Sequence, residues 1–174
     1  MATDFITIFG RLLHDGRLRD DFASEPAIFS RQFGLDEADQ DALMRLSPAD
    51  LEFQASILLR KRFEQIMNFM PHTTSLMGDG AWPMFLTYGR ATLLKGTPGA
   101  LDDAARYCRH CANTFPGSVS QGELNRLNFA VENRRLAVHL VRDLQLRGRG
   151  RSGFQIFVRT GFNRWREMIL YLSF

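Results

Sequence analysis

The feature that most restricts this chain is a change in hydrophobic period. From Phe5 to about Leu140 the apolar residues recur at helical spacing, whereas Phe154, Ile156 and Val158 alternate with Gln155, Phe157 and Arg159. A period of about 3.6 residues and a period of about 2 belong to different backbones, because side chains lie on one face every turn of a helix but every second residue of a strand. The sequence therefore predicts an α+β fold. Residues 1–146 form a mostly helical body, and residues 147–174 a basic linker with a C-terminal antiparallel β-hairpin or small sheet. At 174 residues there is room for one such domain and its appendage.

Punctuation residues divide the helical part. Phe5, Ile8, Phe9, Leu12 and Leu13 make a short amphipathic helix that Gly16 ends. Pro26 suits a first helical turn, Gly34 a stop, and Asp36 a cap. The clearest helix starts at Ser47, with Pro48 and Asp50 behind it. Its apolar stripe comprises Leu51, Ala55, Leu58, Leu59, Phe63, Ile66, Met67 and Met70 and runs to Pro71. A loop is expected over residues 71–80, then a helix from Trp82 to Leu94 closed by Gly96-Thr97-Pro98-Gly99. Thr97 or Pro98 starts another helix, which passes through Cys108 and ends before Phe115. Ser120 with Glu123 matches a capping box, opening a helix that the spacing of Leu136, Val138 and Leu140 extends toward residue 145. Three glycines in Arg147-Gly-Arg-Gly-Arg-Ser-Gly mark a flexible connector, and Trp165 to Phe174 supplies the second strand of the hairpin.

The charge is unevenly laid along the chain. Between Asp15 and Glu52 there are ten acids against four arginines, and between Arg134 and Arg166 nine arginines against one acid. The basic end either neutralises the acidic helices internally or meets an acidic partner. Arginines beside an exposed strand suit an acidic peptide, held electrostatically while the strand's backbone groups add it to the sheet. On this reading Phe154, Ile156 and Val158 lie on or beside the strand-adding edge, with Arg149, Arg151 and Arg159 meeting acidic residues, and a proline at Ile156 should weaken peptide binding.

Several function classes drop out. The N-terminal residues do not form a secretory signal, no apolar run approaches the length needed to cross a bilayer, and two cysteines make no disulfide framework, which together predict a cytoplasmic protein without a membrane partner. Cys108 and Cys111 would share a helix face, but His14, His72 and His139 offer no partner at ligand spacing, so no metal site or bound cofactor is expected in this chain. No phosphate loop, nucleophile elbow or zinc-protease motif occurs, so no catalytic residues are assigned. Nucleic acid is not the expected partner, because no recognition motif accompanies the arginines and the acidic front opposes broad phosphate contact.

Residues 12–73 carry a resemblance. Leu12-Leu13, Leu18-Arg19, Phe22, Pro26, Phe33-Gly34-Leu35, Asp50-Leu51, Gln54-Ala55, Leu58-Leu59, Lys61-Arg62, Glu64, Pro71 and Thr73 together resemble the small partner subunits of multinuclear non-haem iron-dependent oxidases that modify ribosomally made peptides. Within that group the similarity is greater to the thiaglutamate-pathway partners than to those of methanobactin pathways. The resemblance implies a heterodimer with a barrel-type oxidase subunit that holds the iron, while this chain binds an acidic precursor peptide. The implied reaction is excision of the β-carbon of a C-terminal peptidyl cysteine. It also implies a small sheet to which a leader peptide adds a strand, matched here by residues 154–159 and 165–172. The alternatives are a nucleic-acid-binding regulator and a small helical subunit of a ring-opening dioxygenase, in which Phe33-Gly34-Leu35 before an acidic helix start also occurs.

Overall fold

The computed structural model describes residues 4–92, 99–132, 134–146, 149–161 and 164–172, with side chains from 143 to 151 outside that description. The fold is α+β and mostly helical, ending in a three-stranded antiparallel sheet. Among the described residues no helix is long and apolar enough to cross a membrane. The chain divides into two compact units, Met1–Phe63 with Trp82–Thr97, and Glu64–Ala81 with Pro98–Phe174.

The first unit contains α1 (Phe5–His14), α2 (Gly16–Ser24), α3 (Pro26–Arg31), α4 (Glu37–Met44), the larger part of α5 (Pro48–Met67) and all but the first residue of α7 (Ala81–Ala91). Carboxylates start its short helices. Asp4 accepts from the Thr7 N–H at 2.8 Å, Asp15 from those of Arg17 and Leu18 at 3.0 and 3.2 Å, and Asp36 from that of Asp39 at 2.8 Å. Each satisfies backbone donors that a helix start leaves open. Gly34 adopts φ +63°, a left-handed conformation open to glycine at little cost, and the turn delivers Leu35 into a core of Ile8, Leu12, Phe22, Phe29, Leu43 and Leu51. The acidic front thus spends two of its carboxylates, Asp15 and Asp36, as helix caps.

Along α5, Ser47 Oγ accepts from the Asp50 N–H at 3.3 Å, as the sequence predicts. Leu51, Ala55 and Leu59 are buried, but Leu58 is exposed and lies off the stripe. Gly89 permits α7 to approach α5, because a Cβ there would stand 2.9 Å from a Leu59 methyl. One polar cluster joins distant parts of this unit. Arg19, 4% exposed, donates to the Leu12 carbonyl at 2.9 Å and to Glu52 at 2.9 Å, while Arg90 donates to Glu52 and, at 3.1 Å, to Asp20.

The second unit departs from the predicted elements in three places. Helix α5 ends at Met67 rather than continuing to Met70, and the residues expected to be a loop form α6 (Pro71–Met77) and a 3-10 turn, Gly78–Gly80. Glu123, in α9 (Gln121–Val131), is the reason. Its two carboxylate oxygens accept from the N–H groups of His72 and Thr73 at 2.8 and 2.7 Å, so the start of α6 is capped from a helix some fifty residues away in sequence. The capping box read at Ser120 and Glu123 is therefore not formed: Ser120 makes no side-chain cap, and its N–H donates to Thr73 Oγ1 at 3.0 Å. Between them lies α8 (Ala100–Thr114), ending before Phe115 as expected; Leu93 to Pro98 lie outside the described residues.

The third departure is the largest. Helix α9 stops at Val131, and residues expected to prolong it form β1 (Leu136–Leu146), followed by β2 (Arg149–Gly161) and β3 (Arg164–Tyr171). The expected hairpin or small sheet is a three-stranded antiparallel sheet, its first strand drawn from residues read as helix, and much of the connector is strand. Arg159 ends the helix. Its guanidinium donates to the carbonyls of Phe129, Glu132 and Arg134 at 3.0, 2.8 and 3.0 Å, satisfying acceptors at the helix end and its exit.

Partial burial raises the Glu52 pKa, but hydrogen bonds and charge from Arg19 and Arg90 outweigh it and hold the carboxyl below its usual value. A carboxyl with a depressed folded-state pKa stabilises the fold above its unfolded pKa, and that contribution is lost as pH falls through the folded value. Glu52→Gln is expected to cost about 1 kcal/mol at neutral pH, because the carboxylate is 44% exposed and water screens its ion pairs. Denaturant titrations should show this gap closing as pH falls below the ordinary glutamate range.

Candidate functional site

The sheet has the order β1-β2-β3, so β2 is central. Its inward residues pack on α9. Phe157 is fully buried, stacked on Phe129 with ring centroids 5.0 Å apart and met edge-on by Trp165 at 5.7 Å. Gln155, also fully buried, donates to the Gly122 carbonyl at 2.9 Å and to Glu167 at 2.8 Å, and accepts from Asn125 at 3.1 Å. Arg126 clamps the same Glu167 through two nitrogens at 2.8 and 3.2 Å. A polar side chain at an apolar-looking strand position is satisfied on every side, which makes it a fixed locating element rather than a burial penalty.

Alternation then sends Phe154, Ile156 and Val158 to the opposite, outer face. They are not an edge. Arg159 N–H donates to the Arg135 carbonyl at 2.9 Å and Leu172 N–H to the Ser152 carbonyl at 3.0 Å. From these two bonds the antiparallel ladder directs odd-numbered β2 residues toward β1 and even-numbered ones toward β3. The backbone groups of Phe154, Ile156 and Val158 therefore pair with Leu170, Met168 and Arg166, and the three residues sit one strand in from either edge. A proline at Ile156 would break the β2–β3 ladder itself. The edges belong to β1, where Leu136, Val138 and Leu140 aim backbone groups outward, and to β3, where Glu167, Ile169 and Tyr171 do.

Register across the sheet assembles the outer face into three rows: Leu136, Val158 and Arg166; Val138, Ile156 and Met168; Leu140, Phe154 and Leu170. Six of these nine residues were missed in reading β1 as helix and β3 by composition alone. The alternation in Leu136-Ala-Val-His-Leu-Val, with two valines, was the available signal.

The arginines divide. Arg159 is committed to the end of α9 and lies over the Phe129 ring at 5.3 Å, so it is withdrawn from the set expected to meet an acidic peptide. The side chains of Arg149 and Arg151 lie outside the described residues. Arg142, Arg164 and Arg166 are exposed, Arg166 in the outer row with Val158 and Arg142 at the register shift that follows Val141.

Cys108 and Cys111 are buried free thiols one turn apart on α8. Burial pushes the Cys108 thiol up to about 12 and raises that of Cys111, so neither supplies a thiolate at neutral pH. Among the described residues no three histidine, cysteine or carboxylate side chains gather as a metal-binding group. Comparison of the chain with family models, with curated proteins and with solved structures gives no match.

If Gln155 fixes which face of the sheet meets α9, Gln155→Leu should lower stability by about 3 kcal/mol by leaving Asn125, Gly122 and Glu167 short of partners. Thermal unfolding measures the loss. An unchanged melting temperature would make the network incidental.

Proposed function

We propose that this chain is the non-catalytic, peptide-binding subunit of an iron-dependent oxidase complex that modifies a ribosomally made peptide. The observation that carries the reading is the sheet: two outer strands with outward-facing backbone groups, and exposed arginines at its margins. An extended acidic peptide gains main-chain hydrogen bonds on such an edge and charge pairing beside it. The resemblance over residues 12–73 supports the oxidase context. In that context the barrel subunit holds the iron and performs the oxygen chemistry. This chain holds the precursor's leader segment so that its C-terminal cysteine enters the partner's site for β-carbon excision, the thiaglutamate-type reaction.

The edge geometry makes the reading testable. Proline at Val138 or Ile169 removes an outward N–H and leaves the hydrogen bonds to β2 in place, so the fold should survive. One of the two is expected to weaken binding of a short acidic peptide ending in cysteine by about tenfold or more, read by fluorescence anisotropy. Affinity should also fall with added salt. If both folded variants bind as the parent does, strand addition is wrong.

A further inference from the structure

The outer face of the sheet is a larger feature than its edges. Six of its apolar side chains, Leu136, Val138, Leu140, Phe154, Met168 and Leu170, are each 38–59% exposed and lie side by side in register. Scattered exposed apolar residues are ordinary, but a contiguous set on one face marks a binding surface. The strands carry the same message in sequence, being apolar at positions of both parities, as strands covered on both faces are. One face is covered by α9, and the other lacks its layer.

Size and charge narrow what that layer is. Strand spacing of about 4.8 Å and a rise of about 3.4 Å per residue give a platform about 17 Å long and 10–15 Å wide. That is the footprint of one α-helix, about 10 Å across and about 11 residues long. The platform is bounded by Arg142, Arg164 and Arg166, and no carboxylate stands on it among the described residues. A second copy of the chain would bring three more arginines and nothing to pair with them, so self-association on this face buries unpaired charge. A substrate that comes and goes would leave the apolar surface bare between turnovers, whereas a permanent subunit keeps it covered, and permanent interfaces are the more hydrophobic ones.

We infer that the outer face of the sheet, from Leu136–Leu140 across Phe154 to Met168–Leu170, is the seat of one amphipathic helix of a permanent partner protein, apolar on its buried side and flanked by carboxylates. The inference rests on the reading of the chain as a subunit of a complex, but it uses the face of the sheet and leaves the edges to the peptide. Leucine- or methionine-sized side chains fill the space between the rows, and glutamate or aspartate at the helix margins meets Arg142, Arg164 and Arg166.

Two synthetic helices of about 14 residues with one shared leucine face, one flanked by glutamates and one by lysines, test the chemistry by anisotropy with the full chain. The glutamate helix is expected to bind about tenfold tighter or better, and Val138→Glu/Met168→Glu, at two exposed positions, is expected to abolish that binding. Arg142→Glu/Arg166→Glu should reverse the preference toward the lysine helix, which separates a lost surface from a lost fold. No preference between the helices, or displacement of the glutamate helix by the cysteine-ending precursor peptide, overturns the proposal. So does a dimer of the chain alone that Val138→Glu/Met168→Glu dissociates in sedimentation, since a second copy would then be the occupant. Coelution with a barrel-type multinuclear iron oxidase separates this proposal from the functional one. If the oxidase binds the parent and the double glutamate variant equally, the face proposal fails and the functional reading stands. If the oxidase binds neither while the glutamate helix keeps its preference, the functional reading fails and the face keeps its partner chemistry.

Discussion

A fully buried glutamine in the central strand sets the orientation on which the sheet depends. Gln155 reaches a backbone carbonyl at the start of α9, a side-chain amide one turn on, and the carboxylate of Glu167 on the next strand. Turning β2 over would strand those partners in the protein interior, each at a cost of about 1–3 kcal/mol. With Gln155 and Phe157 held inward, pleating leaves no choice for Phe154, Ile156 and Val158, and pairing carries that choice to both neighbouring strands. The apolar outer face is thus a consequence of a polar contact on the inner one.

Two other side chains decide where helices stop and start. Glu123 satisfies the first N–H groups of α6, a seven-residue helix too short to persist on propensity alone. Arg159 takes up carbonyls at the end of α9 and lies on the Phe129 ring. Both act between elements far apart in sequence. Glu123 ties α6 to α9 and Arg159 ties α9 to the sheet, so the binding surfaces are presented on a supported element rather than on a loose appendage.

Legibility in the sequence followed the range of the interaction. The starts at Asp36 and Ser47 were readable because a cap and the N–H groups it serves lie within three residues. Leu136 to Val141 was not, since a short apolar run with two β-branched residues suits a strand or a buried helix, and only pairing with β2 resolves it. Phe154, Ile156 and Val158 were recognised as alternating strand residues. Their place in the sheet was not legible, because a strand is central or at the edge according to how many neighbours it has. Arg159 looked like its neighbouring arginines, yet three carbonyls claim it.

Sequence by itself determined the α+β class, the acidic front and basic end, and the order of helices followed by strands, because period, charge and turn residues are local properties of a chain. Tertiary structure decided which strands have open edges, which arginines remain at the surface and which apolar residues stand together outside. Those outcomes depend on the pairing of β1 with β2 and on the contacts of Gln155, Glu123 and Arg159, and each joins residues that no local pattern relates.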